Sequence, residues 1–175
     1  AMTGDDNVTV RYVQPATGIV LEDVQGNTSA AEMIIVGSTG DDRIEMSSFN
    51  ETIDDNEGSD TYIYNSTSDS RTDAITSTDT IRNFESSDSG DRINLSELLS
   101  YGVTDNLSDF VQVLGGDVEG GDVILNIDKD GASDFGAPDQ VIVLTGLGSS
   151  STPVTFDVFV ANNSLLRLAI GELNI

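Results

Sequence analysis

The 175 residues contain no cysteine, no histidine and no tryptophan, and only seven are lysine or arginine. Each absence closes off a chemistry. Without cysteine there is no disulfide and no thiolate site. Without histidine, Ser-His-Asp and Cys-His catalysis, His-ligated zinc and HExxH metal sites are all excluded. The seven basic residues face 31 acidic ones, a formal charge of −24, so the chain repels nucleic acid and anionic lipid. No apolar run approaches the roughly 20 residues of a membrane span, and no membrane insertion is expected. No secretory signal is read in the opening residues. Ala1-Met2 looks like a cloning scar ahead of an excised fragment, so export would need a route without such a signal, or one elsewhere in a longer chain.

What is present is aspartate, glycine and a repeat. Three consecutive nine-residue windows from Gly37 read GSTGDDRIE, MSSFNETID and DNEGSDTYI. Against the template G-G-x-G-x-D-x-U-x, with U large and apolar, the first supplies Gly37, Gly40, Asp42 and Ile44. The third supplies Gly58, Asp60 and Tyr62. The middle window keeps Ile53 and has Glu51 where Asp is expected. In a roll whose coil takes two nonapeptides, loops on one side recur every eighteen residues. Asp42 and Asp60 have that spacing, and the same step carries Glu51 to Asp69. Glycines let such a loop turn its carbonyls inward, and the carboxylates close a cage for a hard cation taking about 6 to 8 oxygens. The bland alternative is an ordinary acidic turn.

The rest of the chain reads as strands. Val8–Val13, Gly18–Val24 and Ala31–Val36 precede the repeat, and a polar stretch from Asn65 to Thr78 follows as a loop. Asp79–Phe84 is a strand, Ser86–Gly90 a turn, and Asp91–Leu95 leads into a short helix capped by Ser96 and running through Leu99. Val111–Leu114 and Val123–Ile127 form a hairpin across Gly115–Gly121; Val141–Leu144 and Val154–Val160 are further strands. Asn163–Ala169 fits a short helix or a strand. A second acidic loop, with Asp128, Asp130 and Asp134, shares D-x-D-G with EF-hand loops but lacks their closing glutamate and flanking helices. It is either a metal loop or a polar turn.

Taken in order, the degenerate repeats, DTIRNF, GDRINLSELL, the SDFVQV…GGDVILNID hairpin, D-x-D-G and DQVIVLTGL resemble the C-terminal target region of type I secreted RTX proteins. The likeness covers about residues 34 to 148 and is strongest to the ends of giant RTX and biofilm-associated adhesins. It departs from that pattern in its very short roll, in the middle repeat without glycines, and in the insertion Phe135–Pro138.

The resemblance implies a mainly β fold: a short calcium-binding parallel β-roll flanked by antiparallel strands, sandwich-like, with few short helices. It divides the chain into N-terminal flanking strands (1–36), the roll (37–72) and a C-terminal cap and secretion target region (73–175). It also implies Ca2+ as cofactor, with Gly37, Gly40, Asp42, Gly58 and Asp60 as loop residues and Glu51, Asp69, Asp128, Asp130 and Asp134 as further candidate ligands. Phe84, Ile93, Leu95, Leu98 and Leu99 are expected in an apolar cap. The implied function is a non-catalytic calcium-dependent folding and type I secretion module on the bacterial surface or secreted. Its partners would be the type I secretion machinery and the rest of the adhesin chain. The competing reading is a calcium-dependent module binding a surface sugar or peptide.

Overall fold

The computed structural model describes residues 33–37, 39–46, 50–54, 56–65, 77–87, 89–99, 106–133, 135–161 and 165–166. The expected strands 8–13 and 18–24, together with Asp69 and Asp134, lie outside these residues. Ten strands are described: β1 Met33–Val36, β2 Arg43–Glu45, β3 Glu51–Asp54, β4 Thr61–Asn65, β5 Ser77–Arg82, β6 Arg92–Glu97, β7 Val111–Gly115, β8 Val123–Ile127, β9 Gln140–Thr145 and β10 Leu165–Leu166. A 3-10 turn, Leu107–Asp109, precedes β7, and one helix, α1 Phe156–Ala161, follows β9.

Successive strands from β1 to β6 alternate between two sheets. One sheet has the order β1-β3-β5-β9-β8-β7 and the other β10-β6-β4-β2. Every pairing up to β9 and β10 is parallel, so β1 to β6 wind into three coils. The first two coils are eighteen residues apart: Met33 pairs with Glu51 and Arg43 with Thr61. The step then lengthens. Thr52 pairs with Thr80 and Thr61 with Arg92, steps of 28 and 31. The ten extra residues common to both steps fall between Asn65 and Ser77, and three more fall in the turn between β5 and β6. The third coil therefore lies beyond residue 72.

Period-two alternation explains the packing. In β5, β8 and β9 every second residue is buried, because a strand sends alternate side chains to opposite faces. The register lines up Ile35, Ile53, Ile81, Leu144 and Val123 as one inward row. Ile44, Tyr62 and Ile93 form the facing row on the second sheet. Burying one such side chain stabilises the fold by about 1.5–3 kcal/mol. The expected hairpin is present, with Val111 opposite Ile127. It continues the first sheet beyond β9 as an antiparallel extension of the roll.

Two local expectations are corrected. Residues 96–99 are not a helix: β6 runs through Glu97, and the amides of Leu98 and Leu99 both turn back to the Leu95 carbonyl. Parallel pairing with β4 outweighs the capping signal of Ser96. Residues 156–160 are helical where a strand was expected. The Val158 and Phe159 amides donate to the Thr155 carbonyl, and the i, i+3 pair Phe156 and Phe159 faces the core. Leu165–Leu166 takes the strand alternative, parallel to Ile93–Asn94. Phe84, Ile93, Leu95, Leu98 and Leu99 are all buried in the single core cluster. Phe84 sits between Tyr62 and Phe159, its ring centroid 6.1 Å from each.

Candidate metal centre

The connections from β1 to β2, β3 to β4 and β5 to β6 stack as three loops on one side of the roll. The Gly37 amide donates to the Asp54 carbonyl (2.8 Å), and the Gly37 carbonyl accepts from Asn56 Nδ2 (2.8 Å). Gly58, at φ +134°, lies directly over the first loop: a Cβ there would stand 2.6 Å from the Gly40 carbonyl oxygen. Glycine is required at that point both for its backbone angle and for the approach of the loops. Gly37, Gly40, Asp42, Gly58 and Asp60 are thus brought together in two stacked loops.

The aspartates form a ladder. Asp60 Oδ1 accepts the Asp42 amide at 2.7 Å, and Asp91 Oδ1 accepts the Asp60 amide at 2.9 Å. Asp91 Oδ2 also accepts the Glu85 amide at 2.7 Å. Asp41 Oδ1 accepts the Ser59 amide at 2.8 Å. Asp42, Asp60 and Asp91 are all buried. A hydrogen bond to a charged acceptor contributes about 1.5–3 kcal/mol, so each rung fastens one coil to the next. Burying a column of like charges works against those gains.

Glu51 belongs to a different stack. It begins β3 in the other sheet, and its amide donates to Asp79 Oδ1 at 2.9 Å. The residue above it is therefore Asp79, 28 positions on, because of the inserted segment after Asn65. Asp79 Oδ2 accepts from Gln140 Nε2 at 3.0 Å, and Gln140 Oε1 accepts from the Ser77 hydroxyl. Burial pushes the Asp79 carboxyl up to about 6, against the pull of the Glu51 amide and side chain. Burial, reinforced by the charges of Asp79 and Glu51, holds the Tyr64 hydroxyl well above its ordinary value.

Asp128 and Asp130 lie elsewhere, after β8. Asp128 Oδ1 accepts the Asp130 amide (3.2 Å), and Asp130 Oδ1 accepts the Ala132 amide (3.0 Å). Lys129 pairs with Asp139 through its amide (2.9 Å) and its ammonium (3.4 Å). Gly131, at φ +71°, covers the Phe110 ring, leaving no room for a Cβ. The loop is organised by its own carboxylates.

Asp41, Asp79, Asp91 and Gln140 were not singled out as site residues in the sequence. A signal was there: Asp42-Arg43-Ile44, Asp60-Thr61-Tyr62, Asp79-Thr80-Ile81 and Asp91-Arg92-Ile93 all repeat the D-x-U half of the template. The insertions move the later copies off the nine-residue grid.

The donor chemistry of the stacked loops fits a hard divalent cation. Carboxylates and main-chain carbonyls line them, and the space over Gly40 that a Cβ would fill is kept open by Gly58. Among the described residues no three acidic side chains converge into a cage, so main-chain carbonyls would have to supply much of the coordination.

A two-sheet parallel roll with Asp-lined loops and an antiparallel extension is the architecture of an RTX-like C-terminal module of secreted proteins. Residues 8–137 match the family model described as peptidase M10 serralysin C terminal, and the chain belongs to that family. The module is the non-catalytic part of serralysin-type proteins and is associated with calcium binding and type I secretion of exoproteins. No curated protein matches the chain.

Proposed function

We propose that this chain is a calcium-dependent folding and type I secretion module, without catalytic activity of its own, from an exported RTX-type adhesin. The observation that carries the reading is the stack of the first two loops, with Gly58 over Gly40 and Asp60 bonded to the Asp42 amide, eighteen residues apart. Calcium would sit between these loops, held by Asp42 and Asp60 with main-chain carbonyls, and Asp91 would extend the ladder. What calcium supplies is positive charge and oxygen coordination.

The chain's own residues explain the coupling to export. Extracellular modules bind calcium with affinities of about 10⁻⁴–10⁻³ M, far weaker than cytosolic calcium can fill. Inside the cell the Asp column repels itself and the chain stays unfolded. Outside, binding free energy becomes folding free energy. The alternative, a calcium-dependent module that binds a surface sugar or peptide, would use Asp128 and Asp130, which accept amides of their own loop.

A calcium titration of chelated protein, followed by circular dichroism and calorimetry, tests the reading. The expected result is a cooperative gain of β signal in the wild type, weakened in Asp42→Ala and Asp60→Ala and unchanged in Asp117→Ala, which alters an exposed hairpin residue. A wild type fully folded in chelator and indifferent to calcium would overturn it.

A further inference from the structure

The third loop contains a cation of its own. Arg92 Nη1 lies 2.6 Å from the Gly90 carbonyl oxygen, 2.9 Å from that of Asp91 and 3.1 Å from that of Ser87. Three carbonyls converge on a nitrogen with two hydrogens, which is the way oxygens gather round a point charge rather than the way an amide pairs. The same turn is closed by the Gly90 amide on Ser87, the Asp91 amide on Glu85 and the Glu85 amide on Asp91 Oδ2, while Asp91 Oδ1 reaches across to the Asp60 amide of the second loop. Ser59 also donates to the Gly90 carbonyl (2.8 Å), and the Arg92 amide bonds to the Asp60 carbonyl (2.8 Å), so the turn is the floor on which the second loop stands. At the equivalent place in the first loop, Arg43 follows Asp42 but is exposed. In the second loop the position is Thr61, with no charge to offer.

We propose that the Arg92 guanidinium is a built-in counter-cation that orders the turn 85–91 without metal, making it the template on which the calcium-dependent loops stack. The proposal rests on the calcium reading above for the first two loops only. Arg is suited to this role because its charge is permanent and its donors are fixed in a plane, so little rotamer freedom is lost per bond. It predicts a polarity in folding: the turn between β5 and β6 orders first, and the loops at 57–60 and 39–42 follow as calcium arrives.

Hydrogen exchange on the full chain, in chelator and in millimolar calcium, is the test, with the amides of Gly90 and Asp91, whose acceptors Ser87 and Glu85 lie within the turn, as reporters. In chelator the wild type should protect these two while 39–60 exchanges freely. Arg92→Gln should lose about ten-fold or more of that protection, and Arg92→Lys, which keeps the charge but not the planar fork, should lose less. Arg43→Gln removes the same charge from an exposed site and should leave the reporters unchanged. In the calcium titration, the midpoint for ordering 39–60 should rise in Arg92→Gln and stay put in Arg43→Gln. Equal behaviour of the Gln variants, or a wild-type turn that exchanges as an open chain in chelator, would overturn the proposal. Protection of 39–60 in chelator would instead remove the calcium reading, while the comparison of Arg92→Gln with Arg43→Gln at the turn would still decide the role of Arg92.

Discussion

At the scale of single residues, the carboxylates of this chain do two different jobs, and their hydrogen bonds tell them apart. Asp60 is the middle rung of the loop ladder: it accepts from Asp42, and its own amide is held by Asp91. Asp60→Ala should therefore cost at least about 1.5–3 kcal/mol of stability in the calcium-loaded protein, because the buried Asp42 amide loses a charged acceptor. Denaturant titration in saturating calcium, compared with Asp117→Ala, measures that loss; equal stability of the two variants would remove the ladder as a stabilising device. Gly58→Ala attacks the same stack through its backbone, at φ +134° with the Gly40 carbonyl 2.6 Å from the new Cβ. It should raise the calcium midpoint, and a wild-type titration curve would show that the two loops do not meet closely. Asp79 faces the roll interior and behaves differently with pH. Its carboxyl is raised from 3.8 to about 6, chiefly by burial. The folded chain therefore holds this proton more tightly than the unfolded chain does. The resulting stabilisation is complete below about pH 4 and is lost as pH rises through about 6, on the order of 3 kcal/mol in all. Denaturation of wild type and Asp79→Asn in saturating calcium between pH 4 and 7 isolates the effect: the difference between them should change over that interval, and a constant difference would show an unshifted carboxyl.

At the scale of elements, the sequence carried the fold wherever one physical signal acted alone. The first two coils were legible because a large apolar residue recurs at nine and glycine and aspartate recur at eighteen, and the strands pair at the eighteen-residue step. The hairpin was legible from alternation across a glycine-rich turn. Legibility failed where two signals competed. Ser96 offers a helix cap, yet residues 92–97 have a partner strand waiting in β4, and pairing prevails. Val154–Val160 is rich in β-formers, yet Phe156 and Phe159 sit one helical turn apart, and helix is the geometry that turns both toward the core. The later aspartates of the repeat were hidden by chain insertions rather than by chemistry: Asp79, in β5, and Asp91, just before β6, carry the D-x-U signature off the nine-residue grid. Helix α1 matters to the site indirectly. Phe159 is fully buried and rests on Phe84, which rests on Tyr62 in the middle coil. Phe159→Ala should cost about 3–5 kcal/mol and lower the thermal midpoint of the calcium-bound protein. A loss under about 1 kcal/mol would mean that α1 adds little to the core.

At the scale of the whole molecule, the dominant fact is a charge of −24 on 175 residues. Charge of that size opposes compaction everywhere at once, and the ladder concentrates it by burying Asp42, Asp60 and Asp91 in successive coils. Two kinds of remedy are physically distinct. Salt screens exposed charges at a distance, and at about 1 M the Debye length is only about 3 Å. Buried carboxylates are screened far less and need a cation beside them. Monovalent salt should therefore stabilise whatever structure survives in chelator but fail to order the first two loops, whereas millimolar calcium should order them at low ionic strength. Magnesium should do less at equal concentration, because it holds its water and demands octahedral geometry that flexible loop carbonyls do not offer. Circular dichroism and hydrogen exchange at residues 39–60 across the three conditions separate these cases. If about 1 M sodium chloride reproduced the calcium spectrum and protection, the repeat would be a generic polyanion relieved by screening. A response specific to calcium instead ties folding to an ion abundant only outside the cell, which is the condition an export module needs in order to stay unfolded until it has been secreted.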